Sequence, residues 1–187
     1  VLNKVLPSKL DEIHEMVGKG LGRLGIQLLG CIPLEPALAA PSMHQILHEI
    51  GGELLNGDES LENSVETVIV GAMAAHRALE YLSPQCLLIT PGDRDDLILA
   101  AMSTCGPDDN SLAGMLLTGG VMPHRNTLEI LRRSQVPVVL VQGDSYSTAT
   151  MVNNLKVKIQ PSDRRKIHIV PQLVRDHVDV QQILDRL

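Results

Sequence analysis

Apolar and polar positions along this chain follow two periods, one that suits strands and one that suits helices. Short apolar runs at residues 1–6, 26–32, 65–70, 86–90, 113–117 and 136–141 are bounded by Pro, Gly or polar turn formers, as strands are. The first run starts at once, with no Met and no polar lead-in, and so reads as a fragment whose amino-terminal part is missing. Elsewhere apolar residues recur three and four apart. Ser8 with Asp11 has the pattern of a capping box, and Leu10, Ile13, Val17, Leu21 and Leu24 mark one helix face behind it. Gly18, Gly20 and Gly22 weaken the second half of that helix by roughly 1 kcal/mol each relative to Ala. Ser42 caps a helix in which Met43, Ile46, Leu47 and Ile50 face the core, and Gly51-Gly52 ends it. Gly71-Ala72 turns into a helix with Ala75, Ala78, Leu79 and Leu82 on one face. Further helices are predicted over 95–103, 126–133 and 145–154. A last one covers 176–187, with Val180, Ile183, Leu184 and Leu187 as its buried stripe. Residues 105–111 and 161–166 read as polar connections, and 167–170 as a short apolar run.

Strands alternating with helices imply βαβ units. The predicted fold class is therefore α/β, a mostly parallel sheet with flanking helices. Turn formers cluster at Asn56-Gly57-Asp58-Glu59-Ser60, where apolar periodicity lapses, and this is the expected boundary between segments 1–57 and 58–187. With 187 residues, 44% of them hydrophobic, and a mean hydropathy of +0.09, the chain can bury a core. Two Tyr are its only aromatics, so aliphatics, Ala and Met must fill that core. The scarcity of stacking platforms and the net charge of -6 both count against nucleic acid as a partner. Cys31, Cys86 and Cys105 are far apart and odd in number; with no signal peptide, they imply a reducing, cytoplasmic setting. No apolar run approaches the ~20 residues of a membrane span, so no membrane partner is expected.

In a parallel sheet, ligands collect at the carboxyl ends of the strands. Four predicted strands end in small or polar residues: Gly71-Ala72-Met73, Thr90-Pro91-Gly92-Asp93-Arg94, Thr118-Gly119-Gly120 and Gln142-Gly143-Asp144-Ser145. Arg94 could grip a phosphate or carboxylate in a bidentate fashion, Asp93 could accept from a ribose or an amine, and Thr118 offers a hydroxyl beside two glycines. The candidate ligand-binding residues are Thr90, Asp93, Arg94, Thr118, Gly119, Gly120 and Asp144. A structural role stands beside each. Asp93 and Asp144 could be helix N-caps, the glycines could be turn geometry, and Arg94 could pair with Asp93 or Asp95. No Ser-His-Asp or Cys-His spacing marks a catalytic centre at this edge. His44 and His48 lie one turn apart but lack the Glu of HExxH and read as a solvated face, and Asp108-Asp109 reads as a solvated turn. Gly18–Gly25 is glycine-rich and basic but follows a helical stretch, without the Lys-Ser/Thr that closes a phosphate loop. No metal site and no cofactor are predicted.

Residues 70–150 resemble the DRTGG domain, named for an Asp-Arg and a Thr-Gly-Gly. Here these stand as Asp93-Arg94 and Thr118-Gly119-Gly120. Flanking residues match in order: Val70-Gly71-Ala72-Met73, Thr90-Pro91-Gly92, Leu116-Leu117, Pro137-Val138 and the segment from Asp144 to Tyr146. Residues 156–187 look like the segment that comes after this domain in phosphotransacetylases. Residues 1–57 look like the end of the dethiobiotin-synthetase-like (BioD-like) P-loop domain that precedes it, through Leu2-Asn3-Lys4-Val5, Leu29 to Pro36 and Ala39-Ala40-Pro41-Ser42. In that family the P-loop would lie upstream of Val1 and the acetyl-transferring domain after Leu187. The resemblance implies a fold like the amino-terminal domain of HPr kinase, frequently dimeric, so a homodimer is expected. It also implies a place beside nucleotide-sensing CBS domains in some pyrophosphatases, and regulation rather than chemistry. The resulting expectation is a non-catalytic module that senses a nucleotide or other small anionic metabolite, or that oligomerises. The alternatives are a working part of a phosphate acetyltransferase and a purely structural dimerisation domain.

Overall fold

The computed structural model describes residues 1–105, 112–161 and 163–185. In chain order the elements are β1 (Leu2–Val5), α1 (Leu10–Gly22), β2 (Cys31–Pro33), α2 (Pro36–Ala39), α3 (Met43–Ile50), β3 (Glu53–Asn56) and β4 (Thr67–Val70). After these come α4 (Ala75–Ala78), β5 (Cys86–Pro91), α5 (Asp95–Ser103), β6 (Gly114–Thr118), α6 (Arg125–Leu131), β7 (Val138–Leu140), α7 (Ser145–Asn153), α8 (Arg164–His177) and α9 (Val180–Leu184). They form two compact units, Val1–Ala39 with Ile159–Leu187, and Ala40–Lys158. The turn at residues 56–60, where the sequence pattern places a boundary, joins β3 to β4 within the second unit.

In the first unit β1 and β2 pair in parallel. The expected capping box at Ser8 does not form. Pro7 to Lys9 make a 3-10 turn, α1 begins after it, and the N-cap Lys9 makes no side-chain cap bond. Pro7 pre-sets the backbone for that tight turn, which takes Ser8 out of the capping position. The strand predicted over 26–32 shrinks to Cys31–Pro33, because β1 offers only four residues to pair with. The carboxyl-terminal segment differs most from expectation. Arg164 to His177 form one helix that runs through Pro171, and it packs on β2. Proline removes a donor and normally stops a helix, but this one keeps Ile169, Val170, Leu173 and Val174 half-buried and packs on the strand. Asp179 N–H then donates to Leu29 O at 2.8 Å, tying the end of α8 to the entry of β2. The predicted buried stripe on the last helix is absent among the described residues. Ile183 is 39% and Leu184 56% exposed, and Leu187 lies outside the described residues.

The second unit holds a five-stranded sheet in the order β3-β7-β6-β5-β4. Strands β4 to β7 are mutually parallel and lie in sequence order, while β3 closes one edge antiparallel to β7. Each central strand sends alternate residues to opposite faces. Leu88, Met115, Leu117, Val138 and Leu140 meet Ala78 of α4, Leu97, Ile98 and Ala101 of α5, and Leu131 of α6. Leu87, Ile89, Leu116, Val139 and Val141 meet Met43 and Ile46 of α3 and Val152 of α7. The sheet is thus covered on both sides, which explains the uninterrupted apolar runs of β5 and β6. Ser42 caps α3 as predicted, in a capping box completed by Gln45. Strand β3 is absent from the sequence pattern, because a short edge strand owes its form to pairing with β7. The helix after Gly71 is a single turn, leaving Leu79 exposed. His44 and His48 are exposed, and no group of three His, Cys, Asp or Glu among the described residues is arranged to hold a metal ion. The predicted loop at 105–111, with Asp108-Asp109, lies outside the described residues from 106 onward. No helix among the described residues is long and apolar enough to cross a membrane.

Leu88 and Ile89 are adjacent, fully buried and on opposite faces of β5. Leu88→Ala and Ile89→Ala are each expected to lower stability by about 2–5 kcal/mol in chemical denaturation, whereas exposed Leu99→Ala on α5 should cost less than about 0.5 kcal/mol.

Candidate functional site

The parallel alignment of β4 to β7 places all four predicted turns along one carboxyl edge. The structure brings the seven predicted residues to that edge and commits most of their polar groups to neighbouring turns. Arg94 is the N-cap of α5, with a side chain 29% exposed. Its partner is neither Asp93 nor Asp95 but Asp96, gripped through Nε to Oδ1 at 2.8 Å and Nη2 to Oδ2 at 3.0 Å. The same guanidinium donates to Gly71 O at 3.4 Å and Met73 O at 3.0 Å, reaching the turn that leaves β4. Four of the five N–H groups of Arg94 are therefore engaged inside the protein. The hydrogen bond from Arg94 holds the Asp96 carboxyl below the usual carboxylate range.

The next turns are joined in the same way. Gly92 N–H donates to Thr118 O at 3.2 Å. A Cβ on Gly92 would run into the Val121 carbonyl oxygen, so only glycine allows this approach. Gly119 and Gly120 have φ of +80° and +63°, the left-handed region that glycine favours. Their N–H groups point at the turn after β7, Gly119 to Gly143 O at 2.8 Å and Gly120 to Val141 O at 2.9 Å. Thr118 Oγ1 and Ser145 Oγ share a hydrogen bond of 2.7 Å. Asp95 accepts from His124 N–H at 3.0 Å, linking α5 to the loop after β6.

Asp144 is the N-cap of α7. Its Oδ1 accepts from Ser147 N–H at 2.9 Å and its Oδ2 from the Ser147 hydroxyl at 2.8 Å. These two bonds, the backbone one first, hold its carboxyl below the usual range. Asp93, the other candidate cap, caps nothing, because Arg94 occupies the N-cap position without a side-chain cap bond. Asp93 stays exposed at the turn, as does Gly119. Thr90 is fully buried, and its hydroxyl has no hydrogen-bond partner.

Sequence reasoning missed Asp96, Ser145 and the carbonyls of Gly71 and Met73. Arg94 as a helix N-cap two residues before an Asp is a local signal for the first, but the other partners depend on strand order. It also passed over Tyr146 as a candidate ligand contact. That side chain is 82% exposed in the first turn of α7 on this same edge. His124 accepts Asn126 N–H through Nδ1 and so caps α6.

Replacing an unpartnered buried hydroxyl by a methyl group removes a desolvation cost, whereas removing a bonded one loses an interaction. Thr90→Val should therefore raise stability by about 1 kcal/mol and Thr118→Val lower it by about 1 kcal/mol, both read from urea midpoints. A carboxyl with a depressed folded pKa stabilises the fold fully above its unfolded value and loses that contribution as pH falls through the folded one. Thermal scans from pH 6 down to about pH 2 should show this loss below the ordinary carboxylate range, and Asp144→Asn should flatten it.

The model of the DRTGG domain matches residues 45–155. The phosphate acetyltransferase of Nitratidesulfovibrio vulgaris is 34% identical over 163 residues, covering 83% of this chain and 23% of that protein. That of Nitrosomonas europaea is 29% identical over 192 residues, covering 100% of this chain and 28% of that protein. The chain thus spans about a quarter of the length of these curated relatives. Among solved structures, the CBS and DRTGG domains of the regulatory region of Clostridium perfringens pyrophosphatase, complexed with the activator diadenosine tetraphosphate, align with a TM-score of 0.54 at 16% identity. That alignment covers 86% of this chain and 76% of the other. The match of the domain model to more than half of the residues shows that this chain belongs to the DRTGG domain family.

Proposed function

We propose that this chain is a regulatory segment of a phosphotransacetylase-type polypeptide, one that senses a nucleotide or related anionic metabolite and performs no acetyl transfer itself. One observation carries this reading. Arg94 and the Thr-Gly-Gly residues commit their polar groups to neighbouring turns, so they join the carboxyl edge into one body instead of facing a reacting substrate. An edge built in this way moves as a unit and suits the reporting of occupancy. Arg94, Thr118, Gly120 and Asp144 are its fastenings, and Thr90 lies beneath it. Asp93, Gly119 and Tyr146 are left outward as the groups a ligand would meet. Tyr146 offers an aromatic face to a base, Asp93 an acceptor to a ribose hydroxyl or exocyclic amine, and exposed Arg125 at the start of α6 a cation to a phosphate. The nucleotide bound by the clostridial regulatory region supports this choice of ligand class. In the same reading, the BioD-like P-loop remnant expected over residues 1–57 is confined to the part before Ala40, since Met43 to Asn56 belong to the second unit, and the parallel pairing of β1 with β2 supports that assignment.

Calorimetric titration with ATP, AMP, diadenosine tetraphosphate, NADH, acetyl phosphate and coenzyme A tests the proposal. At least one adenine nucleotide should bind, and Tyr146→Ala should weaken it by about tenfold through loss of one stacked base. Binding by none of them, or binding untouched by both Tyr146→Ala and Asp93→Ala, would sink the site. Acetyl-phosphate formation from acetyl-CoA and phosphate by this chain alone would overturn the regulatory reading.

A further inference from the structure

Two buried side-chain atoms among the described residues have no hydrogen-bond partner, the hydroxyls of Thr90 on β5 and Thr148 on α7. Both residues are fully buried, and they differ in what lies over them. Thr90 sits beneath Gly71, where a Cβ would strike Leu97, so the Leu97 side chain of α5 seals that hydroxyl in. Thr148 faces Gly143, in the turn from β7 into α7. Apart from the flanking chain residues, a Cβ built on Gly143 meets a single atom within 4 Å, the Thr148 Oγ1, at 3.4 Å.

The other glycines of this edge each have an internal reason. Gly71 and Gly92 are pressed against Leu97 and the Val121 carbonyl, and Gly119 and Gly120 hold left-handed backbone. Gly143 has neither constraint. Its φ lies outside the left-handed region, and 3.4 Å is ordinary contact. A glycine nonetheless loses more backbone freedom on folding than any other residue. Gly143 is half-buried at the turn, so its bare Cα is the thin cover over the Thr148 hydroxyl. Two contacts hold that cover in place. Gly119 N–H donates to Gly143 O at 2.8 Å, and the hydrogen bond of 2.7 Å between Thr118 Oγ1 and Ser145 Oγ fixes the start of α7 on β6.

We propose that the turn from β7 into α7 reads the hydrogen-bonding edge of a nucleobase, with Thr148 as the specificity-determining group and Gly143 as the opening over it. The inference rests on the nucleotide reading above and adds which residues choose the base. Gly143 and exposed Tyr146 flank the N-cap Asp144, so a base stacked on the Tyr146 ring lays one edge over the Gly143 Cα. There it comes within reach of the Thr148 hydroxyl, which both donates and accepts and so can meet a ring nitrogen or an exocyclic group. Charge selects a neutral ring edge over a phosphate at this turn. Both oxygens of the Asp144 carboxylate are bonded to Ser147, and a phosphate beside that carboxylate would meet like charge. A base that offers no partner leaves the buried hydroxyl unpaired, and a buried polar group left unpaired is a strong discriminator.

Calorimetric titration of ATP, GTP, CTP and UTP into the 187-residue chain and its variants tests it. The wild-type chain should prefer one base. Thr148→Val should weaken the preferred nucleotide by about three- to tenfold, the loss of one neutral hydrogen bond, and narrow the spread among the four. Thr148→Ser keeps the hydroxyl and should keep the preference. Gly143→Ala sets a methyl group over Oγ1 and should weaken the preferred nucleotide by at least as much. Neither Thr148→Val nor Gly143→Ala should lower the urea midpoint, because one removes an unpartnered hydroxyl and the other makes only ordinary contact. Stability thus separates a lost ligand contact from a damaged fold, and Thr148→Val decides if Gly143→Ala does not fold. Nucleotide binding that Tyr146→Ala weakens, but that Gly143→Ala and Thr148→Val leave unchanged in strength and preference, overturns this subsite and leaves the ligand reading standing. Equal affinity for all four bases overturns the subsite as well. Binding of none of the four overturns both.

Discussion

Parallel alignment of four consecutive strands imposes the constraint on which the second unit depends. Each strand must stop, turn and enter a helix at the same edge, so four sets of turn amides and carbonyls accumulate there. An unpaired buried peptide group costs about as much as a lost hydrogen bond. This chain meets that demand laterally, each turn bonding to the next. Arg94 joins the β5 turn to the β4 turn, Gly92 joins it to the β6 turn, and Gly119 with Gly120 joins that to the β7 turn. The glycines follow from this arrangement. Turns packed backbone against backbone leave no room for a Cβ at Gly92, and donors aimed sideways require the left-handed backbone of Gly119 and Gly120.

Much of this architecture was legible in the sequence, where local chemistry agreed with tertiary demand. Helix α5 and helix α7 read clearly because a turn and an Asp stand in front of each, and β5 and β6 because both faces of the sheet are covered. Strand β3 and helix α8 were hidden for the opposite reason. Glu53 to Asn56 has no strand period of its own and is held by β7, while Pro171 argues against a helix that packing on β2 sustains. At the site, the sequence identified the residues that meet but not what they do on meeting. Arg94 offers a cation to an anion in any turn; that the anion is Asp96 and the remaining donors reach Gly71 and Met73 depends on where β4 lies beside β5.

The two edges of the sheet carry different information. Along the carboxyl edge, hydrogen-bonding groups are largely consumed, and the outward surface is a small set of side chains led by Tyr146 and Asp93. Along β4 no strand among the described residues pairs with the outer side. A surface of the first kind selects by shape and stacking, so it suits a small molecule. A surface of the second kind selects another strand.

The fastening that Arg94 makes explains why arginine, and not lysine, stands at position 94. The guanidinium is a planar fork that can take both carboxylate oxygens of Asp96 while its outer N–H groups reach two carbonyls of another turn. An ammonium is a point donor on a flexible stem and cannot hold the same four acceptors in one plane. Arg94 is 29% and Asp96 55% exposed, so water and salt screen the charge attraction, and the contact acts mainly through its paired hydrogen-bond geometry. The motif is therefore best understood as a joint. Its charge is neutralised by Asp96, and its specificity lies in geometry. Through it Arg94 holds the β4 turn against the start of α5.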